Sequence, residues 1–418
     1  FVVVMLLICA SQLSATTIRV PEDQPTISGG VAAADSGDTV LVAAGVYDEH
    51  DITVASDICL VGATGDPGDV VIDAHQAGRV FELIKVSEAT RLSGLTLTGG
   101  LGAPGGAVFC DQASPVFTDV VLSANGANNN DCGGGMYCRY SSPAFHSVRF
   151  VNNTADRNGG GLYCIYSDPV LQDVEFESNA ALVHGGGMYC ATSPFSLEQT
   201  SFSSNTAGDH AGGLFIIHSS GSIEQCYFTG NAAGNRGGAL FCSDSSPVVQ
   251  ISVFWSNSAA FCGGAVSCVA SSDVSLTGVT IASNSAVEAG GGMHIEDSSP
   301  TLSEAIVAFS TSGGGLYAAG FSAPELTCCD VFSNSTVNYG GTLSDQTGFN
   351  GNVSVDPLFC DLMSGNLEIA ESSPCLAEHN ECGVQVGALG AGCTVVPVQE
   401  CTFGRIKAIF LDSSCPPN

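Results

Sequence analysis

Five aromatic side chains recur at one position of the chain, 26 residues apart, and could bind a ligand by stacking. They are Tyr137, Tyr163, Tyr189, Phe215 and Phe241. Each is the fifth residue of a segment that begins with three small residues, and strand alternation sends the fourth and sixth side chains to one side and the fifth to the other. Because a tyrosine hydroxyl needs a polar partner, we expect these rings outside, as a stripe roughly 20 Å long that suits sugars or a protein surface. The alternatives are rings that point inward or rings that loops cover.

A second column lies just before the three small residues: Cys132, Asn158, His184, His210, Arg236 and Cys262. His184 and His210 would have Cα atoms about 4.8 Å apart, close enough for both imidazoles to reach one metal ion. Two ligands make a poor site and Arg236 adds repulsion, so we expect a solvated column and no metal. No DxDxDG loop for Ca²⁺ is present, residues 65–73 being only faintly similar, and no cofactor is predicted.

Both columns follow from an internal repeat. Segments such as GGGMYC at Gly133 and GGGLYC at Gly159 begin at intervals of 28, 26, 26, 26, 26, 26, 27 and 23 residues between Gly105 and Gly313. The density of glycine, and the lack of an LxxLxLxxN run, argue against helical or leucine-rich repeats. We interpret each unit as short strands split by tight turns, forming one coil of a solenoid.

A second anchor, a Phe three residues before an Asn, keeps the same period. The pairs are Phe150 and Asn153, Phe176 and Asn179, Phe202 and Asn205, Phe228 and Asn231, and Phe254 and Asn257. Parallel pairing of successive coils would stack each position on itself. We therefore predict structural columns, in which phenylalanines stack and asparagine amides pass hydrogen bonds from coil to coil.

The combination of GGAVFC, GGALFC and GGAVSC with FVNN, FESN, FSSN, FTGN and FWSN resembles the repeat signature of bacterial polymorphic outer-membrane proteins. Residues 25–54 are similar to the entry segment of pectin-lyase-like β-helix proteins. The two resemblances cover roughly residues 18–393. They imply an all-β fold, a right-handed parallel β-helix solenoid with a short N-terminal capping helix. They decide little about activity, because this fold carries lyases, hydrolases, esterases and adhesins.

The chain divides into five parts. Residues 1–15 are apolar and predict the end of a secretory signal peptide, while Cys9 is a poor lipoprotein site because Ile8 precedes it. Residues 16–104 form the cap and first irregular coils, with a helix expected from Ile27 to Ala34. Regular repeats occupy 105–340, a C-terminal coil and cap 341–393, and a tail or linker to a further module 394–418.

Composition narrows the choice of partners. Ten Lys plus Arg against 41 Asp plus Glu give a formal charge of −31, which would repel nucleic acid and anionic membranes. No stretch after the signal peptide is long and apolar enough for a transmembrane helix. We expect a secreted or cell-surface protein whose partner is a polysaccharide or a surface protein.

Cysteines fall into two groups. Cys110, Cys138, Cys164, Cys190, Cys242 and Cys268 share one repeat position, where buried free thiols and vertical disulfides are both compatible with the spacing, and we favour free thiols. Cys360, Cys375, Cys382 and Cys393 lie in an irregular segment, where we expect local disulfides of unassigned pairing.

The leading hypothesis is a non-catalytic scaffold or binding protein, and the alternative is a polysaccharide lyase or hydrolase. A lyase needs a base beside a neutralised carboxyl group, yet Arg149 and Arg157 flank an Asn-rich turn. A polygalacturonase-like enzyme would show three further motifs besides the RIK at Arg405. We expect the carboxylates of Asp297, Asp244 and Glu175 to be scattered over different repeat positions, so no catalytic residue is assigned.

Overall fold

The computed structural model describes residues 15–394, and these residues wind into a parallel β-helix. The predicted signal peptide and tail lie, except for Ala15 and Thr394, outside the described residues, as do Cys9 and the RIK at Arg405. The coils are built on three parallel sheets, which we call sheet 1 (after the glycine triplet), sheet 2 and sheet 3, and the regular coils pass through all three. The predicted all-β solenoid with a short N-terminal helix is confirmed.

Sheet 1 has twelve strands. They are Ile52–Val54, Phe81–Ile84, Val108–Asp111, Met136–Arg139, Leu162–Ile165, Met188–Ala191, Leu214–Ile217, Leu240–Ser243, Val266–Val269, Met293–Glu296, Leu316–Ala319 and Tyr339–Gly341. Sheet 3 has seven strands of two residues, Gly126–Ala127, Thr154–Ala155, Ala180–Ala181, Thr206–Ala207, Ala232–Ala233, Ser258–Ala259 and Ser285–Ala286.

Sheet 2 has 21 strands, and from the coil of Phe195 onward each coil contributes two short ones. They are Thr17–Val20, Thr39–Val42, Gly45–Asp48, Cys59–Gly62, Val70–Asp73, Arg91–Thr98, Val116–Ser123, Ala144–Val151, Val170–Glu177, Phe195–Glu198, Ser201–Ser203, Gly221–Glu224, Tyr227–Thr229, Val248–Gln250, Val253–Trp255, Ser275–Thr277, Thr280–Ala282, Thr301–Ser303, Ile306–Ala308, Glu325–Thr327 and Asp330–Phe332. The two sheet 2 strands of one coil are joined through a residue with positive φ, such as Gln199, whose φ is 50°.

The core is built from like residues stacked along the solenoid axis. The rings of Phe150, Phe176, Phe202, Phe228 and Phe254 are fully buried, and neighbouring centroids are 4.7–4.8 Å apart. The six cysteines of the repeat column are free thiols and fully buried. Burial raises the pKa of the Cys138 and Cys190 thiols well above the usual value, so these residues act as small apolar side chains.

Asparagine and serine side chains link the turns of successive coils. The Nδ2 of Asn153 donates to Oδ1 of Asn179 at 3.0 Å, and the pattern continues through Asn205, Asn231 and Asn257. A second ladder, which the sequence analysis did not predict, runs through the Ser-Pro corner: the backbone N–H of Ser141 donates to Oγ of Ser167 at 3.2 Å and so on up the coils. Both ladders satisfy turn backbone that is buried.

The glycine triplet is required by close approach of three chain segments. A Cβ atom on Gly160 would lie 2.4 Å from the carbonyl oxygen of Gly186 and 2.5 Å from that of Ala180. Gly159 has a φ of 66°, in the left-handed region. The triplet therefore brings sheet 3, sheet 1 and the next coil together where no side chain fits.

The N-terminal helix spans Ile27–Ala33 and covers the first coil, one residue shorter than predicted. The Oγ1 of Thr26 accepts the backbone N–H of Gly29 at 3.0 Å, and the Glu49 carboxylate accepts those of Ile27 and Ser28. Ile27 is fully buried. This helix shields the apolar end of the solenoid.

The last residues form a lobe that lies on the outer face of sheet 2. Its strands are Phe359–Asp361, Asn366–Ala370 and Ala391–Cys393, with 3₁₀ turns at Leu362–Ser364 and Ala377–His379. Leu367, Leu362 and Ala388 pack against Trp255 and Val253 of the solenoid. Sheet 2 is therefore covered at its C-terminal end by its own chain.

Two disulfides hold this C-terminal lobe, Cys360–Cys393 within it and Cys328–Cys382 between the lobe and the solenoid. Local disulfides were predicted for four cysteines, and for Cys375 the prediction is wrong. Its thiol is free and buried, and lies 3.5 Å from a carboxylate oxygen of Asp330. Cys328, which the sequence analysis left out, is the partner of Cys382.

Candidate functional site

The predicted aromatic residues form one column on the outer face of sheet 1. The residues on either side of each ring, such as Met136 and Cys138, point into the core and are fully buried. Ring centroids of Tyr137, Tyr163 and Tyr189 are 4.8 and 4.9 Å apart, with ring planes within 14° of parallel. The stack continues through Phe215 and Phe241, and Phe109 begins it.

Most of the aromatic column is covered. Tyr163, Phe215 and Phe241 are only 9, 4 and 5% exposed. The cover comes from the column before the glycine triplets: His184 stacks on Phe215 at 4.7 Å and His210 on Phe241 at 4.4 Å. The expectation of an open aromatic stripe is wrong for these rings, because a side chain of one coil packs against the ring of the next.

The stacking also limits which parts of the aromatic column a ligand could contact. Because neighbouring rings already contact each other face to face, no sugar ring can lie on their faces. A ligand could contact only the ring edges and the tyrosine hydroxyls. Tyr137 and Tyr189 are half-buried. Burial raises the pKa of both hydroxyls to about 12, so they remain protonated donors.

A more accessible aromatic pair lies at the corner that follows sheet 1. Tyr140 and Tyr166 are 58 and 50% exposed, and their rings stack at 5.3 Å and 6°. They occupy the eighth position of their repeats, where φ is 51° and 50°. The sequence analysis missed this pair, although the 26-residue spacing of the two tyrosines was a signal for it.

His184 and His210 do not form a metal centre in this geometry. Their rings are parallel within 4° and 5.2 Å apart, so their nitrogens lie side by side and do not converge on one point. Burial lowers the pKa of His184 and lowers that of His210 to about 4, which keeps both neutral. Within residues 15–394 no group of three or more His, Cys, Asp or Glu side chains is placed to hold a metal ion.

Two arginines that a lyase could use, Arg149 and Arg139, are paired with carboxylates. Arg149 lies on sheet 2 just before the Asn-rich turn, and its Nε is 2.6 Å from Glu175. A second nitrogen of Arg149 is 3.3 Å from Glu177. Arg139 contacts Asp111 at 2.9 Å. These side chains neutralise each other on the surface.

The three carboxylates named as candidates are not assembled into one site. Glu175 is on sheet 2, whereas Asp244 and Asp297 lie at the corner after sheet 1. The expectation that all three occupy different repeat positions is wrong for Asp244 and Asp297, since both are eighth in their repeats, with Ala270 at the same position of the coil between them. Asp297 accepts the backbone N–H of Phe321 at 2.9 Å, and Asp244 lies 3.9 Å from His218.

Comparison with known protein families found a match for two stretches of the repeats. Residues 147–165 and 225–243 match the family model of the Chlamydia polymorphic membrane protein repeat. Each matched stretch runs from sheet 2 through the asparagine turn or its equivalent into sheet 1. The predicted resemblance to these repeats is confirmed.

Among solved structures, one that resembles the chain is a mannuronic-acid-specific polysaccharide family 6 lyase from the human gut microbiota. The identity is 13%, the TM-score is 0.44, and the alignment covers 82% of this chain and 91% of that one. No curated protein matches the chain significantly. Within residues 15–394, the helices are all too short or too polar to cross a membrane.

Proposed function

We propose that this protein is an exported, cell-surface or secreted β-helix that binds a glycan without modifying it. The observation that carries the proposal is the presence of accessible tyrosines on neighbouring coils, namely the half-buried Tyr137 and Tyr189 on sheet 1 and the exposed, stacked pair Tyr140 and Tyr166 at the corner after it. Tyrosine combines an apolar ring with a hydroxyl, which suits the mixed surface of a sugar.

Surface charge supports a binding role over catalysis. Arg139 and Arg149, which could neutralise an acidic substrate, are paired with carboxylates of neighbouring coils. With a formal charge of −31, the chain repels polyanions at long range. A neutral glycan therefore fits this surface better than a polyuronate or a nucleic acid.

The proposal is tested by glycan-array binding of residues 16–418 and two variants. The double substitution Tyr140→Ala and Tyr166→Ala removes the exposed pair. The triple substitution Tyr137→Phe, Tyr163→Phe and Tyr189→Phe removes only hydroxyls and keeps the stack. We expect each variant to lose most of the retention, whereas Tyr227→Ala, an equally exposed tyrosine on sheet 2, should retain it.

Two outcomes would contradict the proposal. One is an array on which the wild-type protein retains no glycan. The other is the appearance of unsaturated or reducing ends after incubation with acidic polysaccharides and Ca²⁺, which would establish the lyase or hydrolase alternative. Retention that is unchanged in both tyrosine variants would place the binding surface elsewhere.

A further inference from the structure

An open groove lies on the outer face of sheet 2 in the N-terminal half of the solenoid. Its volume is about 510 Å³, within the range of small-molecule sites, and it is lined by Glu88, Ala89, Arg91, Val116, Thr118 and His146. Of these residues, Glu88, Ala89 and Arg91 are exposed. The C-terminal lobe packs further along sheet 2, against Val253 and Trp255. A ligand can therefore enter the groove from solvent.

Strand pairing brings three polar side chains together in this groove. Arg91 pairs with Val116, two residues before Thr118. Thr118 pairs with His146 of the next strand. Paired strands lie about 4.8 Å apart, so the three side chains span only two steps of the sheet. Alternation turns all three outward, because the residues next to them in the sequence are buried, namely Leu92, Phe117 and Phe145.

The guanidinium of Arg91 is available to a ligand. Most other arginines of the described chain contact a carboxylate, as in the pairs Arg139–Asp111 and Arg149–Glu175. Within residues 15–394 Arg91 forms no ion pair, although the chain has 41 acidic residues against ten basic ones. The groove therefore holds an uncompensated cation in a strongly acidic protein.

We infer that this groove is a binding site for a sulfate ester of a glycan. A sulfate ester carries one negative charge and three terminal oxygens. The planar N–H fork of Arg91 fits two of these oxygens, and the hydroxyl of Thr118 and a ring N–H of His146 donate to the third. The sugar ring fills the rest of the groove, where the Glu88 carboxylate accepts from its hydroxyls. This site goes beyond the function proposed above, which concerns the tyrosines of sheet 1 and of the corner after it.

The chemistry of the groove selects against other anions. A carboxylate has two oxygens, which the fork of Arg91 satisfies alone, so Thr118 and His146 add little to its binding. A phosphate ester carries a charge of about −1.5 to −2 at pH 7, which the nearby Glu88 repels more strongly than a single charge. The formal charge of −31 also repels densely charged polymers. The ligand that fits best is a glycan with widely spaced sulfate groups.

The test is calorimetric titration of residues 16–418 with a carrageenan tetrasaccharide that carries one sulfate ester per disaccharide, with its desulfated form and with a galacturonate tetrasaccharide. We expect the sulfated ligand to bind at least tenfold more tightly than either of the others. Arg91→Gln should weaken its binding roughly tenfold, and Thr118→Val about threefold. Arg157→Gln removes the same charge at another exposed arginine, two residues before Gly159, and should leave the affinity within about twofold.

Equal affinity for the sulfated and desulfated ligands would overturn the site, as would an affinity for the sulfated ligand that Arg91→Gln leaves unchanged. Equal or tighter binding of the galacturonate tetrasaccharide would overturn the assignment to a sulfate ester. These results leave the proposed binding of a neutral glycan standing, because that function is tested on the array with tyrosine variants that lie outside the groove.

Discussion

Asn179 and Asn205 occupy the same corner of successive coils, and the Nδ2 of Asn179 lies 3.0 Å from the Oδ1 of Asn205. The same Oδ1 accepts the backbone N–H of Asn179, also at 3.0 Å. Asn205 in turn donates to the carbonyl oxygen of Phe176 at 2.8 Å. One side chain thus satisfies two buried backbone groups of the coil before.

Replacing Asn205 with alanine should therefore destabilise the solenoid strongly. The backbone N–H of Asn179 and the carbonyl oxygen of Phe176 would lose their partners inside the protein, which costs about 2–4 kcal/mol of unfolding free energy. Denaturant unfolding followed by far-ultraviolet circular dichroism measures the change. Gln172→Ala, which removes an exposed amide one coil away, should change the unfolding free energy by less than about 0.5 kcal/mol. Equal effects of the two substitutions would contradict the role given to the ladder.

Truncation of a ring in the phenylalanine stack should create a cavity. Phe202 is fully buried between Phe176 and Phe228, at centroid distances of 4.7 and 4.8 Å. Phe202→Ala should lower the unfolding free energy by about 3–5 kcal/mol, since the sheet on either side cannot collapse into the space. Phe321→Ala, at a ring that is 96% exposed, serves as the control and should be close to neutral. A loss below 1 kcal/mol for Phe202→Ala would show that the stack is not a continuous core.

The covering histidines should make the protein sensitive to acid. Burial lowers the pKa of His210 to about 4, below its usual value of 6.5. The unfolded chain therefore takes up its proton first, and stability should fall as pH drops from about 6.5 to 4, by up to roughly 3 kcal/mol for this group. His210→Phe, which can stack on Phe241 without titrating, should remove that part of the loss. Unfolding midpoints in urea at pH 7 and pH 4.5 measure it, with the exposed His218→Phe as the control; an unchanged pH dependence in His210→Phe would contradict the assignment.

Asp330 lies at the contact between the last coil and the C-terminal lobe. It should make the protein less stable as pH rises, whereas His210 makes it less stable as pH falls. Its carboxyl is fully buried, accepts the backbone N–H of Val355 at 3.0 Å and faces the thiol of Cys375. Burial raises its pKa to about 7. The native protein holds this proton where the unfolded chain has lost it, so the stabilisation is full near pH 4 and is lost as pH rises towards 7.

Asp330→Asn keeps the shape of the protonated acid and should hold the lobe more firmly at pH 8 than aspartate does. Trp255 is the only tryptophan in the chain and packs against the lobe, so its fluorescence reports the docking of the lobe directly. We expect the wild-type emission to shift to longer wavelength between pH 6 and pH 8 and the variant emission to stay constant. Asp345→Asn, at an exposed site, should behave as wild type.

The core could be predicted from the 26-residue periodicity, because residues at the same repeat position stack into one column in the structure. The stacks of Phe176 and Phe202 and the ladder of Asn179 and Asn205 needed only the 26-residue spacing and the parallel pairing of strands. The serine ladder at Ser167 was equally visible in the spacing and was overlooked. The sequence analysis assigned its hydroxyl no partner in the neighbouring coil.

The surface was harder to predict, because it depends on contacts between different positions of different coils. His210 covers Phe241, which lies in the following coil. Which coil a side chain before the glycine triplet contacts depends on the geometry of the turn. Cys328 pairs with Cys382 because the lobe lies on sheet 2, and a segment without the repeat carries no register from which that placement follows. The open aromatic stripe and the disulfide at Cys375 were wrong for these reasons.

The asparagine and serine ladders affect how the number of coils can change during evolution. Every regular coil offers its neighbour above the same amide and hydroxyl groups that it receives from the neighbour below, as Asn153, Asn179 and Asn205 do. Duplication or deletion of one 26-residue unit in the gene would therefore leave no corner unpaired. The length of the solenoid can therefore change by one coil at a time, while the N-terminal helix and the C-terminal lobe stay the same.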